Sequence, residues 1–226
     1  MHQTYQQNVA GRDFIVGDIH GCFSRLQAHI DRLGFDPLTD RLFSVGDLVD
    51  RGPESELALE WLAKPWFHAV RGNHEQMAID HVAGFSDAQM YIANGGAWML
   101  ALTKPEQCLF ADAFSALPFA ITLHTATGLV GIVHAECPAD SWGGMLDALQ
   151  SQHAEQVGMC CMWSRDRVQH GREDDVAGVR AVVVGHTPMQ NWTSLGNTLY
   201  IDTGAVFKGR EFTVLDASTL TPATAP

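Results

Sequence analysis

Three short polar segments of the chain carry residue types that can bind metal ions and move protons. They are Gly17-Asp18-Ile19-His20-Gly21, Gly46-Asp47-Leu48-Val49-Asp50-Arg51-Gly52 and Arg71-Gly72-Asn73-His74-Glu75. Each follows a short apolar run, as expected for a buried strand that ends at a turn. Carboxylates, imidazoles and an amide suit divalent ions such as Mn²⁺, Fe²⁺ or Zn²⁺. Because neighbouring strands of an α/β sheet end at one edge, we expect the segments to converge there.

Two later histidines repeat the arrangement of a strand followed by a ligand. His134 ends the run Gly131-Ile132-Val133, and His186 follows Val182-Val183-Val184-Gly185. One such residue alone is more often a turn or a hydrogen-bonded core residue than a ligand. Five strand-end sets in a chain of 226 residues are not explained in that way. The spacing therefore predicts a single metal site built from five loops.

The elements that must position these residues alternate between strands and helices in the first half. Short apolar runs predict strands that end near Val16, Val45 and Val70. Apolar residues at spacings of three and four predict a helix from Phe23 to Leu33 that ends at Gly34. Further helices are expected at Pro53 as a first helical position, over Glu75–Val82 and within residues 86–114.

The second half reads as a hairpin, a helical or irregular stretch and three more strands. The hairpin turns at Thr127-Gly128, residues 139–178 are helical or irregular, and strands are predicted at 181–184, 198–201 and 212–215. The order favours two sheets stacked face to face with helices outside. We expect one domain over 1–226, with residues 1–11 and 219–226 as flexible ends.

Composition excludes several classes of protein. With 14 basic and 26 acidic residues the formal charge is −12, so no nucleic-acid partner is expected. No run approaches the ~18 apolar residues of a membrane span, and residues 1–11 lack the apolar stretch of a secretory signal. A cytoplasmic protein without a membrane partner is therefore expected. The five scattered cysteines predict free thiols and no disulfide framework.

The combined motifs resemble the phosphoprotein phosphatase family of metallophosphatases. The three segments match its patterns GDxHG, GDxVDRG and GNHE, and His134-Ala135 and Gly185-His186-Thr187 match its two later histidine motifs. Trp163-Ser164-Arg165 and residues 200–205 look most like the short bacterial and phage branch that includes lambda phosphatase. The resemblance implies a calcineurin-like four-layer α/β sandwich, in which two stacked mixed β-sheets are flanked by helices.

The resemblance also implies a ligand set for two divalent ions. Asp18, His20 and Asp47 would hold the first ion, and Asp47 would bridge to the second. The second ion would be completed by Asn73, His134 and His186, and Mn²⁺ is expected, with Fe²⁺ or Zn²⁺ as alternatives. A hydroxide that bridges the ions would attack the phosphorus directly, without a phosphoenzyme.

Further residues receive roles in catalysis and phosphate binding from the same resemblance. His74 would donate a proton to the leaving group, and Asp50 would orient it. Arg51 and Arg165 would hold the phosphate oxygens, together with Asn73. Arg165 is favoured over Arg167 by its Trp-Ser-Arg context. For Arg71 and Glu75, structural roles that tie loops together are at least as well supported.

The expected substrates are proteins or peptides phosphorylated on serine or threonine, with phosphotyrosine left open. One alternative is a symmetrical diadenosine tetraphosphate hydrolase of the same family, although those enzymes tend to lack an aspartate at the position of Asp50 and to carry GNHD. Glu75 occupies the last position of that motif here. A second alternative is a metal-bound phosphopeptide-binding module without turnover. Physiological substrates, native metal and oligomeric state stay open.

Overall fold

Two β-sheets stack on each other in the computed structural model, which describes residues 1–224. The strands are β1 (His2–Tyr5), β2 (Asp13–Val16), β3 (Arg41–Ser44), β4 (Phe67–Ala69), β5 (Ala120–Thr125), β6 (Gly128–Val133), β7 (Ala181–Val184), β8 (Thr193–Leu195), β9 (Thr198–Tyr200), β10 (Val214–Asp216) and β11 (Thr221–Pro222). The helices are α1 (Phe23–Arg32), α2 (Ala58–Leu62), α3 (Asn73–Ala83), α4 (Ala88–Ala93), α5 (Ala97–Leu100), α6 (Lys104–Ser115), α7 (Trp142–Leu149), α8 (Ala154–Trp163) and α9 (Asp166–His170).

The first sheet has the strand order β11-β10-β2-β3-β4. Strands β2, β3 and β4 are parallel, with Ile15 beside Phe43 and Phe43 beside His68, whereas β10 runs antiparallel to β2. The three parallel strands therefore deliver their following loops to the same edge of the sheet.

The second sheet has the order β1-β5-β6-β7-β9-β8. Strands β6, β7 and β9 are parallel, and the predicted hairpin pairs β5 with β6 across Thr125 and Gly128. His134 and His186 consequently follow two adjacent parallel strands, which places them at one edge of this sheet.

Three buried clusters show the four layers. Between the sheets, side chains such as Ile15 and Phe43 from the first pack with Ile121 and Val183 from the second. Helices α1, α2, α3 and α6 cover the outer face of the first sheet, and α7 and α8 cover that of the second. Burial of each large aliphatic or aromatic side chain contributes roughly 1.5–3 kcal/mol, so this packing holds the strand ends in place. The predicted four-layer α/β sandwich with two mixed sheets is confirmed.

Both ends of the chain differ from the prediction of flexible segments. Within residues 1–11, His2–Tyr5 form the edge strand β1, which pairs in parallel with β5, and Tyr5 packs against Phe43. At the other end, Thr221-Pro222 pair with β10, so residues 221–222 belong to the sheet. Residues 225–226 lie outside the described part of the chain. Edge pairing of the backbone explains both differences, because it needs no apolar side-chain pattern.

Pro53 is not a first helical position, contrary to the prediction. The segment after Gly52 bonds instead to the neighbouring loops: Glu54 N–H donates to the carbonyl of Gly21, and Asp50 N–H donates to Ser55 Oγ. A short 3₁₀ turn, Ser55–Leu57, then leads into α2. Within residues 1–224, no helix is both long and apolar enough to cross a bilayer. The cytoplasmic location stays a prediction.

Candidate metal and phosphate site

Five loops from both sheets bring the predicted ligands into one buried cluster. Asp18 and His20 follow β2, Asp47 follows β3, and Asn73 begins α3 after β4. The second sheet adds the two histidines that follow β6 and β7. None of the six side chains is more than 6% exposed: Asp18, His20, Asp47, Asn73, His134 and His186. The strand-end geometry therefore brings together every residue that was predicted to bind metal.

The backbone of the site is held in an unusual conformation. Positive φ angles between 44° and 70° occur at five of its non-glycine residues: His20, Asp47, Asp50, Arg51 and His186. Such conformations cost on the order of 1–3 kcal/mol each and persist where surrounding contacts enforce them. Their concentration at one cluster indicates a functional site.

Two glycines allow the loops to approach closely. A Cβ atom at Gly185 would collide with Asp18 Oδ1, and one at Gly72 would collide with Asp47 Oδ1. These positions require glycine because of the neighbouring carboxylates, even though neither has a positive φ. The glycines that precede His186 and Asn73 in the sequence are thus part of the construction of the site.

The first group of possible ligands surrounds His20 Nε2. His20 Nδ1 donates to the carbonyl of Val49 at 2.9 Å, which leaves the Nε2 lone pair facing inward. Nε2 lies 3.7 Å from Asp47 Oδ2 and 4.0 Å from Asp18 Oδ2. An imidazole nitrogen and two carboxylates that face each other in this way can hold a divalent ion.

In the second group of possible ligands, hydrogen-bond acceptors of Asp47, Asn73 and His134 face one another. His134 Nδ1 contacts the carbonyl of Val45 at 2.8 Å and so carries the proton of a neutral ring. Its Nε2 then faces Asn73 Oδ1 at 2.9 Å and Asp47 Oδ1 at 3.3 Å. His186 Nδ1 lies 2.8 Å from the same amide oxygen. A cation among the lone pairs of Asp47, Asn73 and His134 would satisfy these three at once, so the residues fit a metal ion.

The charges of the cluster support the same conclusion. Burial lowers the pKa of both His20 and His186 to about 3, so these imidazoles are neutral, as metal ligands must be. Burial raises the pKa of Asp18 well above its usual value, and the carboxylates of Asp202 and Asp47 add to the effect. Three buried carboxylates so close together favour a bound cation that offsets their repulsion.

Asp47 is the carboxylate that contacts both groups. Burial works against its ionisation, but the neighbouring His134 and His74 outweigh that effect and hold the pKa of Asp47 well below its usual value. Conversely, burial acts to lower the pKa of His134, yet the adjacent Asp47 carboxylate raises it overall. One oxygen of Asp47 faces His134 and the other faces His20, which is the arrangement that a bridging ligand needs.

His74 and Asp50 form a buried pair beside this cluster. His74 Nδ1 lies 2.7 Å from Asp50 Oδ2, and His74 Nε2 lies 3.8 Å from Asp47 Oδ2. The pairing orients the ring so that Nε2 points into the site, as a carboxylate does in other histidine–aspartate pairs. The two residues are thus placed for proton transfer to a group bound over the metal ligands.

Glu75 tethers loops, as the sequence indicated. Its carboxylate accepts hydrogen bonds from the backbone N–H groups of Gly72, Asp47 and Leu48 at 2.7–2.9 Å. Burial, with a contribution from Asp47, raises the pKa of Glu75 to about 7. It closes the start of α3 as a capping residue and fixes the Asp47 loop against it.

Arg71 and Arg167 are hydrogen-bonded mainly within the fold. Arg71 binds Gln76 and the carbonyls of Phe114, Ser115 and Leu117. Arg167 is 2% exposed and donates to the carbonyls of Arg172 and Asp174 and to the Asp174 carboxylate. Most of their donors are already used within the fold.

Arg51 and Arg165 are exposed at the mouth of the site. Arg51 Nη1 donates to His20 Nε2 at 2.7 Å, and Arg165 Nη2 reaches the carbonyl of His186 at 3.4 Å. Both guanidinium groups retain donors that a phosphate could use. Arg51 and Arg165 therefore keep more free donors than Arg71 and Arg167 do.

Sequence reasoning missed three side chains that support the site. Tyr91 and Trp98 both donate to Asp50 Oδ1. Asp202 follows β9 and is buried close enough to raise the pKa of Asp18. A strand-end signal was present for Asp202, in Tyr200-Ile201-Asp202, but no local pattern ties Tyr91 and Trp98 to a loop more than 40 residues earlier.

The chain is similar to known phosphatases over most of its length. Residues 14–190 match the family model for calcineurin-like phosphoesterases. Serine/threonine-protein phosphatase 1 of Salmonella typhimurium is 39% identical over 87% of this chain and 88% of its own length. Serine/threonine-protein phosphatase 2 of Escherichia coli is 36% identical over 87% of this chain and 89% of its own length.

Other matches are partial or concern the fold alone. A symmetrical bis(5'-nucleosyl)-tetraphosphatase of Pseudomonas fluorescens is 45% identical, but over only 44% of this chain and 34% of its own length. A crystal structure described as a candidate diadenosine tetraphosphatase superposes with a TM-score of 0.70 at 22% identity, covering 97% of this chain and 94% of that chain. The full-length sequence matches favour the protein phosphatases.

Proposed function

The chain belongs to the calcineurin-like phosphoesterase family, and we propose that it is a metal-dependent phosphoprotein phosphatase for phosphoserine and phosphothreonine monoesters. The observation that carries the proposal is the set of buried lone pairs on Asp47, Asn73 and His134 that face one another. Relatives named as serine/threonine-protein phosphatases match over 87% of the chain. Phosphoproteins are the proposed partners.

In this proposal the site holds two divalent ions. Asp18, His20 and Asp47 would hold one ion, and Asp47 would also contribute to the other. Asn73, His134 and His186 would complete the second ion. Bound ions of this kind supply a water of lowered pKa and positive charge for the phosphoryl oxygens. Mn²⁺ is the proposed metal, and Fe²⁺ or Zn²⁺ would suit the same oxygen and nitrogen ligands.

His74 donates the proton that the departing alkoxide of serine or threonine needs. Its Nε2 faces Asp47 and the site, while Nδ1 is held by Asp50 at 2.7 Å. An alkoxide is a poor leaving group, so a positioned acid contributes about 10²–10⁴ in rate. The negative charge of Asp50 stabilises the protonated ring before transfer.

Arg51, Arg165 and Asn73 bind the phosphate group. The exposed guanidinium groups form short, charge-assisted bonds to phosphate oxygens, and paired bonds fix its orientation. Arg51 lies over the site through its contact with His20. Asn73 offers its amide N–H from the start of α3, where a helix N-terminus also favours an anion.

Attack by water, without a phosphoenzyme, is supported by the state of the cysteines. Burial raises the pKa of Cys22, and raises that of Cys137 to about 11. Burial likewise raises the pKa of Cys161. A thiol with a raised pKa is a weak nucleophile at neutral pH, so none of these three is prepared for covalent catalysis.

Turnover of two substrates under identical Mn²⁺ tests the substrate class. The purified protein is assayed with a phosphoserine peptide and with diadenosine tetraphosphate. The proposal predicts a much larger kcat/KM for the peptide. Cleavage of the dinucleotide alone would overturn the assignment and favour the nucleotide hydrolase.

The alternative of a binding module without turnover has its own test. Phosphate release from p-nitrophenyl phosphate is measured with added Mn²⁺ and with chelator. We expect release with the metal and none with the chelator, because the clustered ligands need the ions for chemistry. A chain that binds Mn²⁺ and a phosphopeptide but releases no phosphate would be a binding module.

A further inference from the structure

Asp50 accepts more hydrogen bonds than its role beside His74 alone requires. Its Oδ2 contacts His74, while its Oδ1 accepts the indole N–H of Trp98 at 2.7 Å and the hydroxyl of Tyr91 at 3.2 Å. The carboxylate is 0% exposed, so no water competes for these bonds. Donors on one oxygen leave the other free for His74, which fixes the rotation of the carboxylate.

The segment that carries these donors also packs on the loop that carries Asp50. Gly95, with a φ of 101°, lies so close to Arg51 N that a Cβ atom would collide with it. Gly96 leaves room for the ring of Tyr91 in the same way. Asp50 and Arg51 have φ angles of 70° and 67°, a strained pair that needs external support. Residues 91–98 therefore hold both the backbone and the side chain of this loop.

We propose that Tyr91 and Trp98 are positioning residues which, through Asp50, hold His74 in the orientation for proton donation. The proposal deepens the proposed function and rests on His74 as the proton donor. Neither side chain is assigned contact with substrate. Loss of either donor lets the carboxylate rotate, and His74 Nε2 then spends less time aimed at the leaving oxygen.

The surroundings of the two donors favour this role over simple packing. Trp98 is held edge-on against Phe110 with ring centroids 4.9 Å apart, so its N–H has a fixed direction. Tyr91 is 0% exposed, and its hydroxyl has Asp50 as its partner. Hydrogen bonds to a charged acceptor are among the stronger ones in proteins.

The test removes each donor alone and compares two leaving groups. Trp98→Phe deletes the N–H and Tyr91→Phe deletes only the hydroxyl; Trp66→Phe and Tyr5→Phe are matched controls outside the site. For a phosphoserine peptide we expect kcat to fall about 10- to 100-fold in Trp98→Phe and less in Tyr91→Phe, whose bond is longer. For p-nitrophenyl phosphate, whose leaving group needs no proton, we expect less than about a threefold change.

Combination with His74→Asn decides between positioning and a general structural role. If Trp98 acts through His74, adding Trp98→Phe to His74→Asn causes no further loss on the peptide. Equal losses on both substrates in Trp98→Phe, or multiplied losses in the double variant, would overturn the inference. If His74→Asn loses activity equally on both leaving groups, the assignment of His74 as the proton donor is wrong. That outcome is distinct from a failure of the inference about Trp98.

Discussion

The floor and the rim of the site are built in opposite ways. The floor consists of side chains that follow strands, are at most 6% exposed and contact one another at 2.8–4.0 Å. Its six residues are Asp18, His20, Asp47, Asn73, His134 and His186. The rim consists of Arg51 and Arg165, which are exposed and make few bonds within the fold. A rigid floor suits ions that need fixed ligands, and a rim with free donors suits a substrate that comes and goes.

The same contrast separates the arginines themselves. Arg71 and Arg167 have most of their donors bound to acceptors of the fold, whereas the guanidinium groups of Arg51 and Arg165 each make one such bond. All four lie near residues of the site in the sequence, so distance along the chain does not distinguish them. The number of guanidinium donors that are already hydrogen-bonded within the fold distinguishes them.

The largest loss is expected in the floor, from Asp47→Asn. The amide cannot serve two groups as a charged carboxylate does, so both ions should be lost or weakened and kcat/KM should fall by more than about 10⁴-fold. Metal analysis and phosphopeptide assay measure the two effects. Asp40→Asn is the control. Asp40 is also a buried carboxylate, but it lies at the start of β3, opposite the end that leads to Asp47, and it pairs with Arg12. Retention of full metal content and activity by Asp47→Asn would contradict the assignment of Asp47 as a ligand of both ions.

His74→Asn should give the next largest effect. We expect kcat for a phosphoserine peptide to fall by about 10²–10⁴, with a smaller loss for p-nitrophenyl phosphate. Metal content should stay unchanged, because His74 is proposed to move a proton and not to hold an ion. A parallel loss of metal and of activity on both substrates would instead place His74 among the ligands of the floor.

Substitutions in the rim should act on substrate and leave the ions in place. Arg51→Ala and Arg165→Ala should each lower kcat/KM by about 10- to 100-fold, the usual effect of losing a charge-assisted bond. Lysine at these positions should restore only part of the loss, because it cannot form paired bonds. Unchanged kcat/KM in either alanine variant would remove that arginine from the rim.

The smallest effect on activity is expected for the two structural arginines. Arg71→Leu and Arg167→Leu should lower the free energy of unfolding by about 2–4 kcal/mol, since several backbone and side-chain acceptors lose their charged donors. Activity per folded molecule should stay within about threefold of the parent protein. Urea unfolding and an assay corrected for the folded fraction measure both. Unchanged stability combined with weak substrate binding would move that arginine to the rim.

The floor could be predicted from the sequence because its residues follow strands in register. Asp18, Asp47 and Asn73 each come directly after an apolar run, and parallel strands bring such positions together. The edge strand His2–Tyr5 could not be predicted, because its polar residues lack alternation and its order comes from pairing with β5. The prediction that Pro53 is a first helical position was wrong because Glu54 and Ser55 hydrogen-bond to other loops before α2 begins.

The supporting layer behind Asp50 lay beyond the reach of sequence reasoning. Trp98 and Tyr91 reach Asp50 across 48 and 41 positions of the chain. Their spacing resembles that of ordinary core residues in short helices. Only the fold of α4 and α5 over the loop reveals which polar atom each one contacts.

Titration of the metal-free protein with Mn²⁺, followed by calorimetry and metal analysis, tests the central claim most directly. We expect two bound ions per chain, with both sites lost or greatly weakened in Asp47→Asn and only one affected in Asp18→Asn. Binding of a single ion, or of two ions that Asp47→Asn leaves untouched, would contradict a shared floor around Asp47.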